Sequence, residues 1–201
     1  ERDCSIQRRH QKIIEFSPSQ SISEETRRAI CEESVNLAKH VGYTNAGTVE
    51  FLVDENEKHY FMEVNPRIQV EHTVTELVTN VDLVQAQILI AEGYKLTDEE
   101  INIQSQDDIK MSGAAIECRV TTENVLNNFM PDTGKITIYK TGAGPGVRLD
   151  GGNGFAGSEI TPYFDSLLVK TTTYARDFDK ARKKMIRTLK EHEIEGVSTN
   201  K

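Results

Sequence analysis

Glu50 and Glu63 are the residues whose type and spacing first suggest chemistry. Two runs of β-forming residues, Thr48–Val53 and His59–Val64, flank the polar stretch Asp54–Glu57, and this pattern predicts a β-hairpin. With the turn centred between the last two residues of that stretch, the two glutamates lie directly opposite each other. Facing residues on one side of a sheet have Cβ atoms about 4.5–5.5 Å apart, and like charges at that separation are destabilising.

A carboxamide completes this candidate site. Asn65 has the same strand parity as Glu63, so its side chain is predicted on the same face. The opposite, apolar face is predicted to hold Val49, Phe51, Met62 and Val64. Two carboxylates and an amide oxygen suit a hard cation such as Mg²⁺ or Mn²⁺, which would relieve the repulsion. A solvated polar face with both acids in water fits the same pattern, and the residues alone leave both interpretations open.

The segment that follows the hairpin, Asn65–His72, packs a cation, an amide, an acid and an imidazole into a few residues. Polar residues concentrated just past a strand end are typical of a ligand site on a loop. Arg67 offers a planar fork for a carboxylate-like anion. Glu71 has the chemistry of a general base if it lies close to a bound acid. Surface ion pairing is the alternative that composition leaves open.

The elements that position these residues are predicted from caps and hydrophobic periodicity. Ser23 is an N-cap signal and Gly42 a C-terminal one, which predicts a helix between them. A shorter helix is predicted from about Thr73 to Thr79, and another begins after the N-cap Asp82, runs through Ile90 and stops at Gly93. Residues 97–110 are predicted as loop. Residues 1–16 are predicted as an extended segment.

The pattern changes near residue 108, where strands separated by glycine-rich turns begin. The predicted strands are Ala114–Val120, Lys135–Tyr139, Val147–Leu149 and Leu167–Thr173. A last helix is predicted from Phe178 to about Glu191. The predicted fold class is therefore α/β in the α+β sense, with two domains, 1–108 and 109–201.

Composition excludes several functional classes. A net charge of −8 argues against a general nucleic-acid binder, and the basic run Arg8–Lys12 is short and lacks interleaved aromatics. No apolar run approaches the roughly 20 residues that a membrane helix needs. Three widely spaced cysteines without a CxxC fit neither a disulfide framework nor a zinc site, which favours a reducing compartment. The glycine-rich run Gly142–Gly146 precedes a strand and is interpreted as a turn, not a dinucleotide fingerprint.

Phe61–Glu76 closely resembles the metal and catalytic segment of biotin carboxylases, which are ATP-grasp enzymes found alone or inside larger biotin-dependent carboxylases. Other blocks also resemble the family and occur along the chain in the same order as in the family. They are Glu1–Lys12, Ala46–Phe51, Glu117–Arg119, Gly146–Arg148 and Pro162–Ser166. The resemblance runs over essentially the whole chain. It implies the C-terminal part of an ATP-grasp fold over 1–108, followed by a small β-rich biotin carboxylase C-terminal domain over 109–201.

The resemblance also implies a role for each candidate residue. The metal ions that bridge the ATP phosphates would be held by Glu50, Glu63 and Asn65, and the nucleotide would be contacted by His10 and Gln7 together with the two glutamates. Bicarbonate would be held by Lys12, Arg67, Gln69 and the Val70 backbone. Arg148 would touch both bicarbonate and biotin, and Glu71 would be the base that activates bicarbonate. The residues that carry the chemistry would be Lys12, Arg67, Glu71 and Arg148.

The implied reaction uses ATP to convert bicarbonate to carboxyphosphate and then carboxylates biotin, which is carried on a separate carrier domain. Cys118–Glu123, Asn128–Lys135 and Ser166–Lys170 look more like pyruvate carboxylase than acetyl-CoA carboxylase, whereas Asn124-Val125 and Pro145 depart from the usual pattern. The alternatives are an acetyl-CoA or other acyl-CoA carboxylase, a different ATP-grasp ligase, and an inactive scaffold or oligomerisation module.

Further expectations concern the surroundings of the chain. The family's N-terminal domain, its glycine-rich phosphate lid and the lysines that hold ATP would lie upstream of Glu1, so the chain alone is expected to be inactive or nearly so. The parent is expected to be a homo-oligomer without nucleic-acid or membrane partners. A cytoplasmic location is expected, or the mitochondrial matrix in a eukaryote.

Overall fold

The computed structural model describes residues 1–201 and divides them into two compact units. The first unit is Glu1–Asp3 with Ser17–Ser112, and the second is Cys4–Phe16 with Gly113–Lys201. Helices and strands are both present, so the predicted mixed α/β class is confirmed. The domain boundary near residue 108 stays a prediction.

Three helices and one hairpin build the first unit. Their bounds are α1 Glu24–His40, β3 Thr48–Val53, β4 His59–Asn65, α2 His72–Thr79 and α3 Leu83–Ala91. The predicted caps are confirmed, because the Ser23 side chain accepts a hydrogen bond from the Thr26 N–H and the Asp82 side chain accepts one from the Gln85 N–H. Residues 97–110 are irregular apart from the 3₁₀ turn Gln106–Asp108.

The strands of the β3–β4 hairpin pair as predicted at the end away from the turn and differently near the turn. Glu50 faces Glu63 and Val49 faces Val64, as expected, but Phe51 faces Phe61 where Met62 was predicted. A bulge separates the two registers. The bulge adds one residue to β4, so every pair between the bulge and the turn is shifted by one position.

The turn explains why a bulge is present. Asp54 and Lys58 close a loop of three residues through the Asp54 N–H, which donates to the Lys58 carbonyl, and Glu57 takes a left-handed φ of 60°. The predicted turn was instead centred between Asn56 and Glu57. The three-residue loop shifts the register by one and the bulge shifts it back, so the two glutamates still meet.

A five-stranded sheet in the order β1-β2-β5-β12-β10 forms the centre of the second unit. These strands are β1 Asp3–Arg8, β2 Gln11–Ser17, β5 Ala114–Thr121, β10 Val147–Gly151 and β12 Leu167–Ala175. Residues 1–16 are therefore not one extended segment, since the chain turns back at Arg9-His10, both with positive φ. Short strands pair around this sheet, namely β6 Glu123–Asn124, β7 Met130–Pro131, β8 Gly134–Lys135, β9 Ile138–Lys140, β11 Glu159–Ile160 and β13 Glu193–Glu195.

The two faces of this sheet differ in chemistry. Helix α4, Phe178–Glu191, packs its buried Ala181 and Met185 against Ile116 and Cys118 of β5. On the other face, the antiparallel register places charged residues side by side across three strands. Arg119 of β5, Lys170 of β12 and Asp150 of β10 lie in one row.

No single helix is long and apolar enough to cross a membrane. The pair α2 and α3 reaches the necessary length and composition only when both are counted together, and the two helices meet at a bend of 97°.

His192 is a buried titratable group that helps hold the second unit together. It is 2% exposed, its Nδ1 accepts the Gly142 N–H at 3.0 Å, and its Nε2 lies 2.9 Å from the Thr171 hydroxyl. Because Nδ1 accepts, the ring is neutral and Nε2 carries the proton. Burial lowers the pKa of His192 below its ordinary value of 6.5, and the nearby Lys201 acts in the same direction.

We predict that the chain loses stability as the pH falls below about 6.5 and that His192 contributes to this loss. The unfolded state binds the proton first because the folded pKa is depressed, so the stabilising contribution is present above that pH and disappears below it. Urea unfolding between pH 7.5 and 5 should give a shallower pH dependence for His192→Gln. His40→Gln, at the exposed end of α1, should keep the wild-type dependence. Equal slopes for both variants would contradict the assignment.

Candidate active site

The two facing glutamates converge on one nitrogen. The Asn65 Nδ2 donates to Glu50 Oε1 at 3.0 Å and to Glu63 Oε1 at 3.1 Å. The hairpin register brings the carboxylates opposite each other, and the strand parity of Asn65 places its amide between them. The sequence-predicted trio is therefore assembled by a single hairpin.

The donor set fits a divalent cation. Both carboxylate oxygens already point at one position, which an N–H donor fills with its partial positive charge. Carboxylate and carboxamide oxygens are the ligands that Mg²⁺ accepts. A cation at this position would also remove the like-charge repulsion that the hairpin imposes. Rotating the Asn65 amide would present Oδ1 in place of Nδ2, so all three side chains have an oxygen to offer.

The loop after β4 carries the predicted anion-binding residues. Arg67 is exposed, and its guanidinium donates to the Ile68 carbonyl at 3.2 Å and to Asn65 Oδ1 at 3.4 Å. Both contacts are long, so much of the fork's donor capacity faces solvent. Val70 follows Gln69 at the end of this loop, immediately before α2.

Glu71 lies where that loop enters α2. It is the N-cap residue of the helix and only 2% exposed. Its side chain makes no capping hydrogen bond to the helix. The positive end of the helix dipole favours a carboxylate at this position. A buried carboxylate a few residues from the exposed Arg67 guanidinium is the arrangement expected of a general base that acts on a bound anion.

Gln69 links this loop to the carboxylates. Its Nε2 donates to Glu50 Oε1 at 2.7 Å, and its Oε1 accepts from Arg2 Nη2 at 3.0 Å. The His72 ring contributes by donating from Nδ1 to the Gln69 carbonyl at 2.9 Å, while its Nε2 lies 3.8 Å from Glu76. His72 is thus a hydrogen-bond donor that braces the loop, a role that the sequence alone left undecided.

Arg2 is the member of this network that sequence reasoning missed. A lone arginine in an N-terminal segment has no periodic signal that ties it to a loop 67 positions away. The only available sign was its membership of the Glu1–Lys12 block, to which no role for Arg2 was attached.

The second unit carries the remaining predicted residues. Gln7 is in β1, where its Nε2 donates to the Cys4 carbonyl at 2.9 Å, and His10 is in the β1–β2 turn. Lys12 follows in β2 and is half-buried. Non-glycine residues with positive φ are strained, and such strain is concentrated at functional positions.

The two basic neighbours of this turn are held by partners in the same unit. Arg8 forms an ion pair with Glu123, and its guanidinium lies 4.2 Å from the centre of the Phe129 ring. Arg9 donates to the Asn128 carbonyl at 2.9 Å. These contacts fix both side chains within the unit.

Arg148 lies on β10 at the opposite edge of the sheet from β1. Two strands, β5 and β12, separate β10 from β2, so Arg148 and Lys12 stand on strands roughly 14 Å apart. Asp150, two residues along the same strand, accepts from Arg148 Nε at 2.8 Å and from Nη2 at 3.0 Å. This bidentate pair aligns the guanidinium plane along the strand.

The structure thus unites Glu50, Glu63, Asn65, Arg67 and Gln69 in one hydrogen-bonded network, with Val70 and Glu71 next in the chain. Gln7, His10 and Lys12 share the β1–β2 hairpin of the second unit, and Arg148 stands apart from them on β10.

Comparisons with known proteins give two family matches. Residues 1–99 match the family described as carbamoyl-phosphate synthase L chain, ATP binding domain. Residues 117–201 match the family described as biotin carboxylase C-terminal domain. Together the two matches leave only 100–116 between them.

Individual relatives match the whole chain. Pyruvate carboxylase of Bacillus subtilis is 60% identical over 200 residues, which cover 100% of this chain and 17% of that protein. The crystal structure of Rhizobium etli pyruvate carboxylase superposes with a TM-score of 0.95 at 48% identity, over 99% of this chain and 19% of that one. The biotin carboxylase domain of Hydrogenobacter thermophilus 2-oxoglutarate carboxylase, solved with MgADP, ADP and bicarbonate, gives 0.92 at 44% identity over 98% of this chain and 42% of that one. The chain therefore spans less than half of each of these relatives.

We predict that Glu63→Gln stabilises the chain by about 0.5 kcal/mol when divalent cations are removed with EDTA. The substitution removes one of two facing charges but keeps an oxygen to accept from Asn65. Because Glu63 is exposed, the gain should shrink in 0.5 M salt, where the Debye length falls to about 4 Å. Urea unfolding measures both quantities. Glu55→Gln in the same hairpin turn is the control and should change neither, and a Glu63 variant that behaves like it would show that the facing charges do not repel.

Proposed function

The chain belongs to the biotin carboxylase family, and we propose on that premise that it supplies the metal, bicarbonate and biotin positions of an ATP-dependent biotin carboxylase within a pyruvate carboxylase. The parent would use ATP to activate bicarbonate through carboxyphosphate, carboxylate biotin, and convert pyruvate to oxaloacetate. The observation that carries this proposal is the network in which the Glu50–Glu63 pair connects through Asn65 to the exposed Arg67. Full-chain identity of 60% to a pyruvate carboxylase supports the choice of parent.

Activation of bicarbonate is assigned to the loop and the start of α2. Bicarbonate is a poor nucleophile, and removal of its proton by Glu71 raises its reactivity. Arg67 donates from its planar guanidinium to the two oxygens of bicarbonate that do not attack the phosphoryl group, which holds the anion in one orientation. Gln69, the Val70 N–H and Lys12 complete the set of donors. Burial of Glu71 keeps water away from the base, and the helix N-terminus favours its charged form.

The hairpin face is assigned to the nucleotide and its metal. Glu50, Glu63 and Asn65 would hold Mg²⁺ or Mn²⁺, whose role when bound is to offset negative charge on the transferred phosphoryl group. His10 and Gln7, with the two glutamates, would orient the nucleotide. The MgADP of the 2-oxoglutarate carboxylase structure supports magnesium, and nothing in the donor set distinguishes manganese from it.

Arg148 is assigned to the anion and to biotin. Its bidentate pairing with Asp150 through Nε and Nη2 holds the guanidinium in one plane along the strand. Arg148 would contact bicarbonate and biotin, and Arg67 would stabilise the negative charge that develops on the ureido oxygen when the phosphate released from carboxyphosphate takes the ring proton.

The surroundings of the chain are part of the same proposal. A biotin carrier domain would deliver the biotin, and the parent would be a homo-oligomer in the cytoplasm or, in a eukaryote, the mitochondrial matrix. Residues 1–108 would act as the C-terminal part of the ATP-grasp domain and 109–201 as the biotin carboxylase C-terminal domain.

One alternative keeps the carboxylase site and changes the acceptor, and the other is a scaffold without activity. A different acceptor is favoured by the 2-oxoglutarate carboxylase structure at 44% identity, and an acyl-CoA carboxylase shares the same family. A scaffold of another class would need no intact metal site. Loss of Mg²⁺ binding in the parent on replacing both Glu50 and Glu63 by Gln, measured by calorimetry, separates a working site from a scaffold.

We predict that the full-length parent transfers ¹⁴C from labelled bicarbonate to oxaloacetate when supplied with ATP, Mg²⁺ and pyruvate. Separate reactions offer acetyl-CoA, 2-oxoglutarate or free biotin as the acceptor. Label in malonyl-CoA or in the product of 2-oxoglutarate would leave the site assignments unchanged and identify a different parent enzyme, because all three carboxylations share the biotin step. Incorporation into none of the acceptors would refute carboxylase activity.

We predict that Glu71→Gln in the parent lowers bicarbonate-dependent ATP cleavage by at least about 100-fold, since general-base catalysis typically contributes 10²–10⁴-fold. The amide keeps the size of the side chain but has no basic oxygen. Phosphate release measures the rate. Glu92→Gln, at the exposed C-cap of α3, is the matched control and should retain full activity. A Glu71 variant with the control's rate would remove Glu71 from the role of base.

A further inference from the structure

Arg2 binds three acceptors that lie on three different elements. Its Nη2 donates to Gln69 Oε1 and to Thr48 Oγ1, both at 3.0 Å, and its Nη1 donates to Thr75 Oγ1 at 3.1 Å. Thr48 begins β3, Gln69 is in the loop after β4, and Thr75 is in α2. The guanidinium therefore connects the start of β3, the loop after β4 and α2.

The contact with Gln69 fixes the orientation of a side chain with two distinct ends. A carboxamide can donate from its nitrogen or accept at its oxygen, and rotation by 180° exchanges the two. Arginine can only donate and a carboxylate can only accept. With Arg2 on one side and Glu50 on the other, the Gln69 oxygen must face Arg2 and its nitrogen must face Glu50, which is the arrangement observed at 3.0 and 2.7 Å.

We propose that Arg2 is a positioning residue for Gln69, and that it sets which end of this amide faces the bicarbonate and metal positions. The inference rests on the proposed function, since it assigns Arg2 a purpose only if Gln69 contacts bicarbonate. Gln69 is 7% exposed and lies between the two charged groups, so its N–H₂ is the end available on the site side. Outer residues that orient a binding side chain in this way commonly cost 10- to 100-fold when removed.

The geometry also explains the choice of arginine. One guanidinium reaches all three oxygens because its donors project in a fixed planar fork. A lysine at this position would keep the charge but would concentrate its donors at one atom on a flexible chain. Arg2→Lys is therefore expected to orient Gln69 only in part.

A purely structural role is the competing explanation, because Thr48 and Thr75 would tie the N-terminal segment to β3 and α2 through the same guanidinium. Thr75→Val separates the two explanations. It removes one acceptor of Arg2 on the structural side and leaves the hydrogen bond to Gln69 in place.

The test is a double-mutant cycle in the full-length parent enzyme, with Arg2→Met, Gln69→Ala and the combined variant. Bicarbonate-dependent ATP cleavage gives KM for bicarbonate and kcat, and thermal unfolding is followed in parallel. Gln69→Ala is expected to raise the bicarbonate KM by about 10-fold, and Arg2→Met by a similar factor. The combined variant is expected to be no worse than Gln69→Ala, because Arg2 acts through Gln69. Arg2→Lys should fall between wild type and Arg2→Met, and Thr75→Val should keep the wild-type KM.

The inference would be overturned if the increases in bicarbonate KM of the two single variants multiplied in the combined variant. It would also be overturned if Arg2→Met lowered the unfolding temperature without changing KM. If Arg2→Met does not fold, Arg2→Lys replaces it in the same cycle with the same criterion. An unchanged KM in Gln69→Ala, with carboxylase activity intact, would instead remove Gln69 from bicarbonate binding and so reject that assignment of the proposed function. Multiplying effects with a raised KM in Gln69→Ala would reject the inference alone.

Discussion

The site depends on two like-charged side chains that the backbone forces to face each other. Glu50 and Glu63 are directly paired in an antiparallel hairpin, where like charges oppose sheet formation. Two carboxamide side chains donate hydrogen bonds to this pair. Asn65 places one N–H₂ between the carboxylates, and Gln69 donates a further hydrogen bond to Glu50. The same repulsion that weakens the hairpin would make the free energy of binding a divalent cation more favourable. The cation would place two full positive charges where the Asn65 N–H₂ now has only a partial one.

Local signals predicted most of the first unit. Ser23 and Asp82 are side-chain caps whose consequences extend over only three residues, so the helices that they begin were found correctly. The Glu50–Glu63 pairing was also predicted, but partly through compensation between two features that alternation does not reveal. A three-residue loop and a bulge each shift the register by one, in opposite directions. Strand parity conveys which residues share a face, but it carries no information about where an extra residue enters a strand.

What the residues did not predict is long-range or lacks the usual turn chemistry. The β1–β2 hairpin was predicted as one extended segment because Arg9-His10 has neither the glycine nor the asparagine that two-residue turns favour. Arg2 was missed because its three acceptors lie between 46 and 73 positions away. The roles of Gln7, His10, Lys12 and Arg148 came from resemblance alone, since no spacing rule connects these positions. The pairing of Arg148 with Asp150, by contrast, follows from strand alternation, which puts residues two apart on one face.

The network of the first unit has a fixed polarity, and that polarity links the proposed metal position to the proposed anion position. Arg2 and Arg67 can only donate, and the two glutamates can only accept, so the amides of Gln69 and Asn65 between them have one consistent orientation. In that orientation Asn65 gives its nitrogen to the carboxylates and its oxygen to Arg67. Under the proposed function a cation at the nitrogen's position would need an oxygen ligand, so the Asn65 amide would have to rotate. Rotation turns Nδ2 towards Arg67, and two donors cannot bond to each other. The Arg67 guanidinium would then lose this internal partner, and its Nη2 would be available to the anion that the proposed function assigns to this loop.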